Sequence, residues 1–273
     1  MRTSPAIRVL SYIVLILLAV LVLVPIIAGA VTAFKPQIIW VASPPVWIFT
    51  PTLENFEYVL ITRENMLQLQ NSLIIATGTV LLALLLGVPA AYALARFRFR
   101  GSRSLLQWLI SLRMIPPIVV GLPFFILLRT VGLRDTYFGL ILVYLTFSIP
   151  LVIWMMRGYF AEMPSTMEES AMVEGCSRLD ALRRVVLPTV TPGIVATALL
   201  NFIFAWNEYF LALLLTGRNT STLPIVAATY VGRVRVEWGN LFAVNLIIMV
   251  PVILLTVILR RQLVKGLTFG IID

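Results

Sequence analysis

The sequence predicts an all-α integral membrane protein of six spanning helices with both termini in the cytoplasm. Three observations carry that prediction. Of 273 residues, 60% are hydrophobic and 12% charged, against about 25% charged in a soluble domain; the mean hydropathy is +1.00. The apolar residues gather into six long runs, and Lys and Arg divide unevenly between the segments that join them. A compact soluble domain of this size cannot hide so much apolar surface. The composition therefore excludes soluble enzymes, nucleic-acid binders and disordered chains, even with a net charge of +9. Histidine is absent and Cys176 is the single cysteine, so imidazole chemistry and an internal disulfide are excluded, and no metal site is expected.

A spanning helix needs about 20 predominantly apolar residues to cross about 30 Å of hydrocarbon. The runs that qualify are residues 9–34, 72–95, 105–128, 137–156, 192–216 and 239–259. The short alternating strands of a membrane barrel are missing. The first run follows Arg2 and Arg8 but is too long for a cleavable signal peptide and lacks a small-residue cleavage site. It reads as a retained helix with a kink at Pro25. Met114-Ile115-Pro116-Pro117 marks a break in the third run. Counting basic residues by loop places 13 on the side of the termini and 7 on the other, with Arg113 inside span three. The richer side is cytoplasmic. The chain reads as a single transmembrane domain, 1–273, with outer loops at 35–71 and 217–238 and a long inner loop at 157–191. Trp40, Trp47, Trp108, Trp154 and Trp238 read as anchors at the membrane interfaces.

The inner loop carries dense helix signals. Pro164 suits a first turn, and Ser165-x-x-Glu168 and Thr166-x-x-Glu169 are alternative capping boxes. Gly175 supplies a left-handed stop. Ser177-x-x-Asp180 opens a second helix, which carries Arg183 and Arg184 and is expected to stop by Pro188. The expected product is a bent pair of helices outside the bilayer, between spans four and five.

Glu169-Ser170-Ala171, three residues, Gly175, nine residues and Val185-x-Leu187-Pro188 match over 20 positions the E-A-A-x3-G-x9-I-x-L-P loop. The chain thereby resembles the permeases of binding-protein-dependent ABC importers; Ser170 and Val185 are its mild departures. Asn71-Ser72, Ala90–Arg96, Trp206-Asn207-Glu208 and Gly266-Leu267-Thr268-x-Gly270 extend the likeness to the second permease subunit of carbohydrate-uptake importers of the maltose type. The tail, Gly270-Ile271-Ile272-Asp273, departs from that family's ending.

The resemblance implies a transport subunit of the prokaryotic inner membrane, not an enzyme. It implies a heterodimer with a second permease, two cytoplasmic ATPase subunits that hold ATP-Mg, and an external solute-binding protein. This chain itself would hold no cofactor, in keeping with the absence of a phosphate-binding G-x-x-x-x-G-K-[ST] loop. The residues that the resemblance marks for coupling to the ATPase are Glu168, Glu169, Ala171, Gly175, Leu187 and Pro188. Arg113, Asn201, Asn207, Glu208 and Asn245 are polar at membrane depth, where such residues are costly and usually functional. They are the pathway candidates, and Arg113 is a possible partner of Glu208. In the maltose-type family the last outer loop reaches the docked binding protein; Arg218, Asn219, Thr220, Arg233 and Arg235 are the donors here. The expected solute is a sugar or sugar derivative, with a polyol or glycerophosphodiester as the alternative. Partners other than lipid and these proteins, nucleic acid among them, are not expected. A secondary transporter would need inverted repeats and paired intramembrane acids, and Glu208 is the one plausible acid.

Overall fold

The computed structural model describes residues 5–267 apart from 45, 98 and 233–235. Among these the chain is helical except for turns and one bridge between Val231 and Val236. The tail departure at Gly270–Asp273 lies outside the described residues. Four helices are long and apolar enough to cross a membrane, or up to six if each of two bent pairs counts as one span. The chain divides into two compact units, residues 1–66 with 226–249 and residues 67–225 with 250–273.

In the first unit, α1 (Pro5–Ala33) runs through Pro25 as one helix. Most of its side chains are exposed, as befits a helix that faces lipid or a partner. Its terminal carbonyls need partners. Buried Asn55 in the short α2 (Glu54–Glu57) donates to the carbonyls of Ala33 and Lys35, at 2.7 and 2.8 Å. Trp40 donates to the Lys35 carbonyl at 3.0 Å and packs over Gly239 so closely that a Cβ there would lie 2.2 Å from its Nε1. That corrects the reading of Trp40 as an interface anchor: it is buried structure, whereas Trp47, Trp108, Trp154 and Trp238 are exposed.

In the second unit, α3 (Met66–Arg96) begins six residues before the expected span. The run expected as the third span is two helices, α4 (Ser102–Leu112) and α5 (Pro117–Thr130), bent by 90°. The two prolines explain the bend. Ile115 and Pro116 each precede a proline, which disfavours the α region, and Pro116 sits at ψ 131. Next, α6 (Tyr137–Glu162) starts at an N-cap on Thr136, whose hydroxyl accepts the Gly139 N–H.

The inner loop folds as α7 (Ser165–Val173) followed by a helical stretch that reads as α8 (Arg178–Ala181), a π turn (Leu182–Val186) and α9 (Leu187–Thr189). The second arm thus runs past Pro188, against expectation. Its missing N–H falls just after the widened turn, and the chain then bends 72° into α10 (Thr191–Trp206). The run expected as the fifth span is also interrupted. After α10 the chain breaks at Asn207–Tyr209 and resumes as α11 (Phe210–Leu215). Two helices, α12 (Leu223–Thr229) and α13 (Trp238–Leu267), complete the chain.

Candidate functional site

Two places in the second unit concentrate the polar chemistry. The first is the bent helix pair. Its turn is built as expected: Gly175 has φ 95, Cys176 N–H donates to the Ala171 carbonyl at 3.0 Å, and Gly175 N–H donates to Met172 at 3.1 Å. These bonds define a Schellman ending of α7. Ser177 accepts the Asp180 N–H at 3.2 Å and opens the second arm. A side chain at 175 would meet nothing within 4 Å, so its cost is backbone strain alone, about 1–2 kcal/mol. Gly175→Ala is therefore expected to lower thermal stability modestly while changing the angle between the two arms. An unfolding temperature equal to that of the unsubstituted protein would contradict the strain at this position.

The capping boxes on Ser165 and Thr166 do not form. The position before α7 is Pro164, which has no side-chain cap. Glu168 is drawn elsewhere, to partners within this chain. It is 4% exposed. Its Oε2 pairs with Arg96 Nε at 3.0 Å, and its Oε1 accepts the Tyr92 hydroxyl. Arg96 also donates through Nη2 to the Met163 carbonyl at 3.0 Å. The tie locks α7 to the end of α3, and its full set of donors and acceptors is what a buried ion pair requires. Arg178 lies over the Phe97 ring at 5.1 Å, so the second arm is held to the same place. Ala171 is buried and Leu187 half-buried, whereas Glu169, Gly175 and Pro188 are exposed. The helix pair also exposes three apolar side chains that the sequence did not single out: Met167, Val173 at 89% exposure, and Leu179.

The second place is where the two interrupted spans come together. A cavity of about 170 Å³ is lined by Arg113, Tyr144, Ser148, Asn201, Phe204 and Glu208 among others. Arg113 donates to the Phe147 carbonyl at 3.2 Å and covers the Phe204 ring at 4.9 Å. Glu208 caps α11 instead, its Oε1 accepting the Leu211 N–H at 2.9 Å. Arg113 and Glu208 thus share a cavity without forming the expected pair. Asn201 is 1% exposed, and neither atom of its amide has a hydrogen-bond partner within the protein. Such a group is costly unless something else satisfies it. Tyr144 and Ser148 join this group; no sequence pattern distinguishes them from ordinary helix polar residues. Asn207 is exposed and bonds back to Ile203 at 2.8 Å. Asn245 lies in the first unit, in an apolar cleft between α1 and α13, and donates to Leu241 of its own helix at 2.8 Å. Neither lines this cavity.

The loop after α11 is ordered by Asp135. Burial pushes the Asp135 carboxyl up, but the Thr220 hydroxyl and the N–H groups of Gly217, Asn219 and Thr220 more than offset it, and the net shift is below the usual carboxylate range. Thr220 is buried and both its donors face Asp135, so it does not project outward as expected. Asn219 is exposed yet also donates to Asp135, at 3.1 Å, and Arg218 is exposed. Arg233 and Arg235 lie outside the described residues.

Comparison with known proteins agrees with this architecture. A family model described as the binding-protein-dependent transport system inner membrane component matches residues 83–269. A trehalose transport system permease protein of Mycobacterium tuberculosis is 39% identical over 203 residues, 73% of this chain and 74% of that protein. A trehalose/maltose transport system permease protein of Thermococcus litoralis is 33% identical over 274 residues, 99% of this chain and 98% of that one. The fold is shared with a chain of a bacterial ABC transporter that imports the acidic polysaccharide alginate, at a TM-score of 0.76 and 23% identity, covering 96% of this chain and 99% of the other.

Proposed function

Because this chain belongs to the family of binding-protein-dependent transport system inner membrane components, we propose that it forms half of the translocation pathway of an ATP-driven sugar importer. The relatives named for trehalose and maltose support the sugar class. In this reading the six spans are α1, α3, α4 with α5, α6, α10 with α11, and α13, and both termini face the cytoplasm, as the basic loops favour. A second permease completes the pathway, two ATPase subunits bind ATP-Mg, and an external binding protein delivers the solute. This chain holds no cofactor and hydrolyses nothing.

The observation that carries the reading is the exposed surface of the bent helix pair, where Glu169 and Val173 are four residues apart on one face of α7. An exposed acid beside an exposed apolar side chain on one helix face suits a cleft with a matching cation on an ATPase. Gly175 and Pro188 shape the turn and the second arm, and Ala171 and Leu187 pack them. Behind this lever, Arg113, Asn201 and Glu208 at the junction of two broken spans form a polar stretch of pathway, since non-helical backbone at membrane depth is tolerated where it lines a cavity. Asn201 is the residue best placed to meet a sugar hydroxyl; Asn207 and Asn245 remain candidates in other states of the pathway. The test is affinity purification after co-expression with the partner permease and the ATPase. The unsubstituted chain is expected to retain the ATPase, and Glu169→Arg with Val173→Asp to lose it while keeping the partner permease. Equal retention in both would overturn the reading.

A further inference from the structure

An asparagine in or at the end of an apolar helix has a local refuge, the carbonyl four residues earlier on its own helix. Asn207 takes it, donating to Ile203 at 2.8 Å, and Asn245 does the same with Leu241 at 2.8 Å. Asn201 does not. Its amide leaves the Thr197 carbonyl alone, and both its nitrogen and its oxygen are sealed from water and unpaired. Turning the amide end for end cures nothing, because neither end has a partner. An amide carries two donors and an acceptor with two lone pairs, so the bonds forgone at this one side chain are several.

The polar neighbours that could satisfy it are committed elsewhere. Arg113, Tyr144 and Glu208 line the same cavity as Asn201. The Arg113 guanidinium donates to the Phe147 carbonyl at 3.2 Å, which joins the break in span three to α6. The Tyr144 hydroxyl donates to the Glu208 carbonyl at 3.5 Å, and the Glu208 carboxylate accepts the Leu211 N–H at 2.9 Å; both bonds serve the backbone of the break at Asn207–Tyr209. Three polar side chains thus hold the two broken helices, and the fourth is left out. The cavity of about 170 Å³ has room for water, but neither atom of the amide is open to it in this conformation. Unsatisfied groups of this kind persist where the surrounding structure over-determines them, and they concentrate at switching sites.

We infer that Asn201 is a strain element of the transport cycle: its unpaired amide raises the energy of this conformation, and movement at the Asn207–Tyr209 break releases the amide to a hydroxyl of the solute in the pathway. The inference rests on the pathway reading above and adds to it a reason for the junction to move when solute arrives. Solute that bonds Asn201 only after the movement binds one state better than the other, which is the condition for shifting an equilibrium.

The test compares Asn201→Leu, which removes the amide at similar volume, with Thr79→Val. The Thr79 hydroxyl, in α3, is also sealed and unpaired, but Thr79 is not among the residues that line the cavity. Each change removes an unsatisfied buried group, and each is expected to raise the unfolding temperature of the full assembly in detergent by about 2–4 °C. Asn201→Leu alone is expected to act on the cycle. In proteoliposomes supplied with binding protein carrying trehalose, it should lower maximal uptake and ATP hydrolysis together about fivefold, with the half-saturating concentration of binding protein unchanged. Trehalose added to the assembly in detergent without ATP should raise the unfolding temperature of the parent and of Thr79→Val more than that of Asn201→Leu. An Asn201→Leu variant no more stable than the parent overturns the inference, and so does one that is more stable yet turns over at the parent rate. Equal trehalose shifts in all three proteins would assign the amide's bonds to water and overturn it too. A parent assembly without ATP-dependent uptake overturns the importer reading instead, and is told apart by the thermal gain of Asn201→Leu, which does not depend on transport.

Discussion

Glu168→Ala is expected to destabilise the protein by about 3–5 kcal/mol, the usual cost of removing one partner from a buried ion pair. The size follows from what is left behind. Arg96 has a side chain 13% exposed, and without Glu168 its guanidinium keeps only the Met163 carbonyl as a partner in the tie. The Tyr92 hydroxyl loses its acceptor as well. A double substitution distinguishes the ion pair from mere packing. Replacing both Arg96 and Glu168 by Met removes both charges together and is expected to recover most of the stability, because apolar isosteres of buried ion pairs are often neutral. Thermal unfolding of the purified chain in detergent measures all three variants. A Glu168→Ala variant within about 0.5 kcal/mol of the parent, the range of an ordinary surface substitution, would mean that the tie is not buried in the working protein. A functional consequence follows from the same geometry. Glu168 faces α3 while Glu169 faces outward, so the first should act on how motion is passed on and the second on whether the ATPase is held.

Gly139→Ala is the second large effect. An added Cβ would lie 2.2 Å from the Leu133 carbonyl oxygen and 3.1 Å from the Thr136 hydroxyl. Both belong to the tight entry into α6, where the Thr136 hydroxyl donates to Leu133 at 2.7 Å and accepts from Gly139 N–H at 3.0 Å. The obstructing atom is backbone, so no side-chain rotation relieves the overlap. The entry must open and lose its cap, at a cost of about 1–3 kcal/mol for overpacking plus about 1 kcal/mol for the cap. Gly158→Ala, where a Cβ meets nothing within 4 Å, is the control. Equal unfolding temperatures for the two variants would contradict the described geometry. Because Asp135 lies in the same entry, Gly139→Ala is also expected to loosen the loop at 217–220.

The regular parts of the fold were readable from apolar runs because lipid imposes its length on any uninterrupted helix. The helices expected for spans two, four and six are there, each longer than its apolar core, since α3, α6 and α13 carry several polar residues beyond it. The interruptions were readable only where the backbone itself announces them. Pro116-Pro117 signalled the break in span three; at Asn207–Tyr209 no proline or glycine stands, and the break rests on the side chains of Asn207 and Glu208 bonding to backbone. At the inner loop, local chemistry gave the Gly175 ending and the Ser177 cap correctly. It failed at Ser165 and Thr166 because their Glu partners were judged by spacing of three, while Glu168 found Arg96 across 72 positions of sequence. Asp135 was missed for a related reason: an acid beside a turn looks solvated until the loop that it binds, 82 to 85 positions away, is brought to it.

The most direct measurement of the central claim is solute uptake by proteoliposomes containing this chain, its partner permease and the ATPase, with binding protein carrying a labelled disaccharide supplied outside. Uptake is expected only with ATP and the ATPase present, in a fixed ratio to phosphate released, and that ratio is expected to collapse in Gly175→Ala more than hydrolysis itself does. Uptake that persists without the ATPase, driven by an ion or proton gradient, would contradict the account.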